Sequence, residues 1–345
     1  MLFGRRMTGS NPASVSASPD NATCWVVVLN WNNAADTLAC VDSIMRLENA
    51  TWRLAVCDNA SSDGSLDILV QGLQSRFGDD WRKLTESDVA STPMDGDFKA
   101  CLIANSGNHG YAGGNNVGVR LALRDPAMHA VWVLNNDTEV APDSLGYLLR
   151  HADNHPAQGI IGSTLLYHDQ PGIIQAAGGG TYHRWTGLND HHGYGEPAEN
   201  RNRHATRPLD YVFGAAMLIK RAWLEKVGLM DESLFLYFEE IDYCRAGSPY
   251  FDIGYCPDAI VYHKEGGSTG GKRNAVSLLA EFYILRNRLR ITVRHFPYAF
   301  PVVWLGLLVT ILNRLRRGQA DRVGMVIRIA FQFRRIDFKD IQSRK

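Results

Sequence analysis

The stretch CWVVVLNW, residues 24–31, is a run of apolar residues that leads into the polar residues Asn32 and Asn33. A short apolar run bounded by turn residues is typical of a strand buried on both faces. Residues 36–47 then place leucine, valine, isoleucine and methionine at near-helical spacing. A buried strand followed by a helix predicts the beginning of an α/β domain.

Three later stretches repeat this pattern, since each is an apolar run that stops at Asn or Asp; they are residues 52–61, 98–105 and 130–137. Asn and Asp also start ordinary turns, so one such ending alone would say little. Four in succession, with helices between them, predict a mostly parallel, Rossmann-like sheet. Ligands of open α/β sheets bind at the carboxyl ends of the strands, and we expect the site there.

Charge is distributed unevenly along the 345 residues, although the formal net charge is zero. Residues 286–345 carry 14 Lys or Arg against 3 Asp or Glu, whereas the rest of the chain carries 22 against 33. Such a basic segment predicts an anionic partner. Because the same segment contains a long apolar run, we expect a membrane surface and no nucleic acid.

The first 22 residues lack the apolar stretch that a secretory signal needs, and they are predicted to be a disordered tail. The six cysteines form no CxxC pair, and several lie inside apolar runs. That pattern is typical of buried thiols in a reducing compartment, which predicts a cytoplasmic protein.

Two segments indicate a site for phosphates. Residues 105–123 join a glycine-rich turn to a helix, so that the backbone at Gly113 and Gly114 could approach a ligand closely. A dinucleotide fingerprint is excluded because the glycines follow a later strand rather than the first one. At residues 131–140 an apolar strand leads to Asp137, whose carboxylate could coordinate a hard divalent cation.

Two further segments carry acidic and histidine side chains. Glu239, Glu240 and Asp242 follow the apolar residues 235–238, and partial desolvation there would raise a carboxyl pKa toward that of a general base. An acidic helix N-terminus is the alternative interpretation. His263 closes a short strand before a Gly-Gly-Ser-Thr turn, where it could meet Asp137 across the sheet edge.

Residues 168–208 contain a GGG triplet and five histidines, and we expect a long loop or irregular insertion. Because no spaced cysteine or histidine partner accompanies His191 and His192, we interpret them as solvated side chains rather than zinc ligands.

Together and in this order, these segments over roughly residues 24–290 resemble the family 2 inverting glycosyltransferases with a GT-A fold, the nucleotide-diphospho-sugar transferase fold. The resemblance is to the rhamnosyltransferase-like and galactofuranosyltransferase-like branch. It implies Glu240 as catalytic base with Asp242 in reserve, and a divalent cation, Mg²⁺ or Mn²⁺, at Asn135, Asp137 and His263. Asn135 replaces the aspartate that usually opens this metal motif. The donor-binding residues implied are Asn32, Asp58, Gly113, Gly114, Asn115, Asn116 and Asn136.

The resemblance implies transfer of a sugar from a nucleotide-diphosphate donor, with dTDP-rhamnose as the first choice, to a lipid-linked or polysaccharide acceptor. A non-catalytic nucleotide-sugar-binding subunit of a membrane glycan assembly is the alternative.

The C-terminal segment is predicted to consist of basic amphipathic helices at residues 281–296 and 322–336 around an uncharged run at 296–312. Because 17 residues with Pro297 and Pro301 barely reach spanning length, we expect docking on the inner face of the cell membrane. A homo-oligomer interface is the alternative. This predicts a catalytic domain at residues 23–285 and membrane-associating helices at residues 286–345.

Overall fold

A computed structural model describes residues 23–94, 98–264 and 277–342. The predicted tail, residues 1–22, and the turn at residues 266–269 lie outside them. The strands are β1 (Thr23–Asn30), β2 (Thr51–Asp58), β3 (Trp81–Thr85), β4 (Ala100–Ala104), β5 (Met128–Asn135), β6 (Thr138–Val140), β7 (Gln158–Tyr167), β8 (Gln170–Ala177), β9 (Gly179–His183), β10 (Leu188–His191), β11 (Tyr211–Val212), β12 (Ala216–Lys220) and β13 (Asp252–His263).

The helices are α1 (Ala34–Met45), α2 (Ser65–Phe77), α3 (Gly110–Leu123), α4 (Ser144–Asn154), α5 (Arg221–Val227), α6 (Glu239–Gly247), α7 (Leu278–His295), α8 (Phe300–Arg316), α9 (Ala320–Gln332) and α10 (Lys339–Gln342). Short 3₁₀ helices cover Glu86–Ala90, Ala198–His204, Glu232–Leu234 and Pro297–Ala299.

The central sheet has the strand order β3-β4-β2-β1-β5-β12-β7-β13-β6, with β8 paired to β7. Its first five strands are all parallel, whereas β12 runs antiparallel between β5 and β7. Alternate residues of β1 enter opposite cores: Trp25 and Val27 face the side covered by α3, and Val26 and Val28 face the side covered by α1, α2 and α4. The expected α/β sheet is therefore present, and burial on both faces explains its apolar strands.

The prediction of a loop over residues 168–208 is wrong. This region contains β8, β9, β10 and a 3₁₀ helix, and β9 pairs with β10 and β11 in a separate three-stranded sheet. His192 is buried, and its Nε2 lies 2.9 Å from Thr181 Oγ1. Burial lowers the pKa of His192 to about 4, so its ring is neutral at pH 7.

The boundary predicted between residues 285 and 286 is also wrong, because it falls in the middle of α7. This helix is continuous from Leu278 to His295, and Phe282 and Leu289 are buried in a core shared with α8 and α9. At its far end Ile291 belongs to the core of the central sheet. The C-terminal helices thus pack onto the body of the α/β domain rather than forming a detachable appendage.

The outer face of α8 is apolar and uncovered by the rest of the described chain. We call it the α8 face; its exposed residues are Val302, Leu305, Leu308, Val309, Leu312 and Leu315. Among the described residues, Pro297–Arg316 is the one helical stretch long and apolar enough to cross a membrane, and little of it is buried in the protein. Large exposed apolar patches of this kind mark interaction surfaces.

Candidate active site

The carboxyl ends of β1 and β2 meet at Asp58, which is buried. Its Oδ1 accepts hydrogen bonds from Asn30 Nδ2 at 2.7 Å and Ser61 Oγ at 2.6 Å. Asn32 lies beside this group, because its backbone N–H donates to Ser61 Oγ and its side chain accepts from Ser62 N. The structure thus brings Asn32 and Asp58, which were predicted to bind the nucleotide-sugar donor, together at the carboxyl edge of the sheet.

The glycine-rich segment is placed differently from the prediction. Helix α3 begins at Gly110, so Gly113 and Gly114 lie inside the helix rather than in a loop. A Cβ at Gly114 would lie 2.4 Å from Leu29 Cδ1, which means that this glycine allows α3 to pack closely on β1. A Cβ at Gly113 would lie 2.7 Å from His109 Cβ. Packing on β1 therefore accounts for Gly114, and crowding by the N-cap residue of the same helix accounts for Gly113.

Asn115 and Asn116 are buried in the same helix. The Asn116 side chain exchanges hydrogen bonds with the backbone of Met230 and also donates to Glu232 Oε1 at 3.0 Å. Asn115 Nδ2 donates to Tyr111 O, whereas its Oδ1 has no hydrogen-bond donor in the described part of the chain. Asn116 thus tethers the segment that precedes α6, and the contacts of Asn115 and Asn116 with the donor stay predictions.

At the end of β5, the predicted site residues Asn135, Asn136 and Asp137 have different surroundings. Asn135 is partly exposed, and its backbone carbonyl accepts from Thr138 Oγ1 at 2.7 Å. Asn136 is buried, and its Nδ2 donates to Thr37 Oγ1 at 3.1 Å. The Asn136 side chain therefore joins β5 to α1, and its contact with the donor stays a prediction.

Asp137 and His263 form a buried pair, with 5% and 8% of their surfaces exposed. Asp137 Oδ1 lies 3.3 Å from His263 Nε2, yet it accepts no hydrogen bond from the described residues. On its other side the imidazole donates from Nδ1 to Gln175 Oε1 at 2.7 Å. In the neutral ring, Nε2 therefore presents a lone pair to the carboxylate.

Two lone pairs at this separation repel each other unless a cation or proton lies between them. An oxygen and an imidazole nitrogen suit Mg²⁺ or Mn²⁺, and such ions complete their coordination with phosphate oxygens and water. The described residues contain no group of three or more His, Cys, Asp or Glu arranged around one ion. The pair fits a divalent cation whose remaining ligands come from a diphosphate.

Lys264 adds positive charge beside this pair. Its backbone N–H donates to Asp137 O at 2.9 Å, and its Nζ lies 2.9 Å from Asp36 Oδ1 and 3.8 Å from Glu139 Oε1. The hydrogen bond to Asp36 raises the pKa of Lys264. A lysine at this position could contact the phosphates of a donor.

Glu240, in the first turn of α6, lies beside the segment that follows β11. A Cβ at Gly214 would lie 3.9 Å from Glu240 Cβ, and the next residue, Ala215, accepts a hydrogen bond from Asn135 N. Tyr111 Oη donates to Gly214 O, which ties the N-terminus of α3 to the same place. Glu240 thus lies close to the end of β5, at the edge that carries Asp137.

Burial raises the pKa of Glu240 to about 7. Burial, followed by the charge of Glu240, raises the pKa of its neighbour Glu239 well above the usual range. A carboxyl group with a pKa near neutrality is suited to proton transfer at physiological pH. Sequence reasoning predicted this effect from the apolar residues before the glutamates.

Asp242, the second candidate for the catalytic base, contacts side chains of α7 through both of its carboxylate oxygens. Its Oδ2 accepts from Arg294 Nη1 at 2.7 Å, and its Oδ1 lies 2.6 Å from His295 Nε2. Both carboxylate oxygens are thus engaged with side chains of α7, and removal of Asp242 would weaken the attachment of α6 to α7. The structure assigns Asp242 the function of joining α6 to α7.

Three residues of the site were missed by sequence reasoning, namely Gln175, Tyr111 and Lys264. Lys264 is adjacent to His263, so its position alone could have suggested it. Gln175 and Tyr111 gave no signal, because each acts through a contact with a residue more than 80 positions away along the chain.

The mostly parallel α/β sheet is also found in solved structures of glycosyltransferases. The structure resembles that of "GalNAc-T7 with UDP, GalNAc and Mn2+", with a TM-score of 0.56 and 14% identity over 80% of this chain and 48% of that one. It also resembles Staphylococcus aureus TarS 1–349, with a TM-score of 0.50 and 12% identity over 90% of this chain and 81% of that one. These similarities define the GT-A fold.

Residues 25–228 match the model of the family "Glycosyl transferase family 2", and the chain belongs to that family. It is 32% identical over 167 residues, 47% of this chain, to the low-salt glycan biosynthesis hexosyltransferase Agl10 of Haloferax volcanii. It is 30% identical over 167 residues, 43% of this chain, to the N-acetylglucosaminyl-diphospho-decaprenol L-rhamnosyltransferase of Mycobacterium tuberculosis. The chain spans about half the length of these curated relatives, 51% in each case. The predicted family is confirmed.

Proposed function

We propose that this chain is an inverting, cation-dependent glycosyltransferase that moves a sugar from a nucleoside-diphosphate donor to a lipid-linked acceptor. The observation that carries the proposal is the Asp137–His263 pair, whose facing lone pairs suit a cation, at the same sheet edge as Glu240 with its raised pKa. A metal ligand set and a general base at one edge are what such a transfer requires.

In the proposed reaction Glu240 accepts the proton of an acceptor hydroxyl. The hydroxyl oxygen attacks the anomeric carbon from the face opposite the leaving nucleoside diphosphate, so that one carbon–oxygen bond forms while the other breaks and the configuration inverts. Asp58 and Asn32 hold the nucleoside, and Lys264 attracts the phosphates. When bound, a divalent cation at Asp137 and His263 supplies charge that stabilises the diphosphate leaving group.

The names of the relatives support a choice of substrates. One is a hexosyltransferase of glycan biosynthesis, and the other transfers L-rhamnose to a diphospho-decaprenol-linked sugar. We therefore propose dTDP-rhamnose as the first donor to test, with UDP-linked hexoses next. The proposed acceptor is a lipid-linked saccharide, a precursor of a surface polysaccharide.

We expect a nucleotide sugar with Mg²⁺ or Mn²⁺ to raise the melting temperature of the protein, since a ligand of the folded state stabilises it by about 2.7 kcal/mol at one hundred times its Kd. The measurement is thermal unfolding with a panel of nucleotide sugars, followed by transfer to lipid-linked acceptors. The same panel in chelator, and free rhamnose with metal, serve as controls. If no nucleotide sugar stabilises the protein or is consumed, the proposed function is wrong.

We further propose that the α8 face docks the enzyme on the inner, cytoplasmic leaflet of the cell membrane. The exposed Arg316 is the last residue of this helix and Arg317 follows it, while Arg334 and Arg335 follow α9, which presents the exposed Phe331. Apolar side chains flanked by arginines suit an anionic lipid surface. The six free, buried cysteines are in keeping with a reducing compartment.

Contacts along α8 support docking in the plane of the membrane rather than a crossing. Phe300 packs against Phe333 near one end, Trp304 Nε1 donates to Ala330 O, and Arg314 binds Glu281 near the other end. A helix attached to the protein body along its length does not leave that body to span a bilayer. Its opposite face can still enter the interface.

The Leu305→Gln, Leu312→Gln double variant tests the docking surface, since both side chains are about half exposed. We expect at least roughly tenfold weaker partitioning onto anionic liposomes at high salt, because fully burying one leucine stabilises by about 1.5–3 kcal/mol. The measurement is co-sedimentation at low and high salt.

Ile68→Gln on α2 is the matched control, as this side chain is equally exposed far from α8 along the chain. It should sediment like the unaltered protein. If the unaltered protein stays in the supernatant at low salt, the docking proposal fails. An oligomer that the double variant dissociates would then identify the α8 face as a homo-oligomer interface.

A further inference from the structure

The segment before Glu239 and Glu240 has an unusual backbone. Phe235, Tyr237 and Phe238 have φ angles of 65°, 65° and 73°. Bulky L-residues rarely occupy this left-handed region, and each such residue costs on the order of 1 kcal/mol or more. Such a conformation persists only when the surrounding structure holds it in place.

A buried pair of polar residues on α7 holds this segment. Asn287 Nδ2 lies 2.8 Å from Leu234 O and 2.9 Å from both Leu236 O and Tyr237 O. Arg286 Nη2 donates to Leu234 O at 3.0 Å and also to Ser233 O. Asn287 is 0% exposed and Arg286 is 3% exposed.

The two side chains also support each other, since Arg286 Nε donates to Asn287 Oδ1 at 3.0 Å. Among the described residues, no carboxylate forms an ion pair with Arg286, so backbone carbonyls supply its main hydrogen-bond acceptors there. Burial lowers the pKa of Arg286 to about 10. A buried guanidinium costs free energy, and its presence here needs an explanation beyond packing.

On its other side, the segment at residues 233–238 contacts the start of α3, at the edge of the sheet where we propose that the sugar donor binds. Tyr111 N donates to Phe235 O at 2.6 Å, and Gly110, with φ of 71°, has no room for a Cβ because Phe235 O lies 2.2 Å from where it would be. Phe238 is the N-cap of α6, so its conformation sets where the first turn, with Glu240, begins. The segment therefore connects α7 to both α3 and the proposed base.

We propose that Arg286 and Asn287 are positioning residues for the transfer reaction, and that they place Glu240 by holding residues 233–237 in their strained conformation. This inference rests on the proposed function, with Glu240 as the base. It gives Arg286 and Asn287, in the middle of α7, a part in catalysis that is separate from the packing of this helix against α8 and α9.

The Asn287→Ala variant of the full chain tests this inference. We expect a loss of roughly tenfold to a hundredfold in kcat, because small misplacements of a catalytic group have effects of that size, with donor Kd changed less than twofold. The acid limb of the kcat against pH profile should shift, since the surroundings of Glu240 change. Hydrogen exchange of amides 234–240 should become faster, which can be measured without any activity.

Glu281→Gln is the matched control. Glu281 is buried on the same helix and binds Arg314 and Arg322 of α8 and α9, not residues 233–237. It should lower the melting temperature while leaving kcat, its pH profile and exchange at 234–240 unchanged. If Asn287→Ala fails to fold, Arg286→Lys takes its place. Lysine keeps the positive charge but cannot donate to the same set of acceptors as the planar guanidinium, so we expect the same changes to a smaller degree.

The inference is overturned if Asn287→Ala keeps both the kcat profile and the exchange protection of the unaltered protein. It is also overturned if Glu281→Gln loses kcat in proportion to its loss of stability, because general loosening of the helices would then suffice. Activity retained by Glu240→Gln would instead contradict the base assignment. Failure of the positioning inference can therefore be distinguished from failure of the assignment of Glu240 as the base.

Discussion

Glu240→Gln is expected to retain donor binding and to lose at least about two orders of magnitude in kcat, the usual scale for a general base. The glutamine keeps the shape of the side chain but cannot accept the proton of the acceptor. Because burial raises the pKa of Glu240 to about 7, the unaltered enzyme should gain activity as the pH rises through about 7, where the carboxyl ionises. Steady-state transfer between pH 5.5 and 8.5 measures both effects.

Glu239→Gln is the matched control for this variant. Burial and the neighbouring Glu240 raise the pKa of Glu239 well above its usual range, and glutamine keeps the size and polarity of this buried side chain. We expect nearly unchanged kcat. If this variant is the inactive one while Glu240→Gln is active, the base has been assigned to the wrong glutamate.

Unfolding cannot explain the expected loss in Glu240→Gln. A carboxyl whose folded-state pKa lies above its unfolded value stabilises the protein at low pH, and that contribution is lost as the pH rises through about 7. At pH 8 the glutamine variant lacks this buried charge and should melt no lower than the unaltered protein. Asp242→Asn should instead melt lower, because it weakens the contacts to Arg294 and His295.

The sheet and its functional edge were predictable because their signals are local. Each strand of the parallel half is a short apolar run that can be identified from a few residues. Asp58 and Asp137 lie at or just beyond the ends of two of these runs. The meeting of Asp137 and His263 followed from the rule that parallel strands present their carboxyl ends together. The raised pKa of Glu240 followed from its apolar neighbours.

The arrangement of α7 could not be predicted in the same way. Helical periodicity correctly predicted that Phe282, Leu285 and Leu289 lie on one apolar stripe, but it assigned this stripe and its arginines to a membrane surface, whereas the stripe lies in a core. Arg286 is buried instead, and its guanidinium donates to the backbone carbonyls of Ser233 and Leu234, next to the residues with left-handed φ angles. A φ angle leaves no trace in hydrophobic periodicity, so the reason for this arginine is visible only in three dimensions.

The glycine-rich segment was misinterpreted for a related reason. Glycines suggest a loop when only local propensity is considered, since glycine costs about 1 kcal/mol inside a helix relative to alanine. Close packing of α3 on β1 at Gly114 outweighs that cost, and the contact partner, Leu29, is distant in sequence. Tertiary contacts thus decided the conformation of residues 113–116.

Asp137→Asn is expected to abolish the metal dependence of donor binding while preserving the fold. The amide of asparagine can donate to His263 Nε2, which lies 3.3 Å from Asp137 Oδ1, and so replaces the cation between the two groups. The variant should melt at or above the temperature of the unaltered protein. Its affinity for nucleoside diphosphate with Mg²⁺ or Mn²⁺ should fall roughly tenfold or more, a loss of about 1.4 kcal/mol or more, to the value in chelator.

Calorimetric titration of nucleoside diphosphate, with metal and with chelator, measures this effect. Glu139→Gln is the matched control. This substitution removes the same charge nearby, but the Glu139 carboxylate contacts His168 and Lys264 rather than His263. It should leave the metal dependence intact. If the unaltered protein binds equally well in metal and in chelator, the Asp137–His263 pair holds a proton rather than a cation, and Lys264 must balance the phosphate charge instead. In that case Asp137→Asn would leave affinity nearly unchanged, whereas Lys264→Ala would lower it.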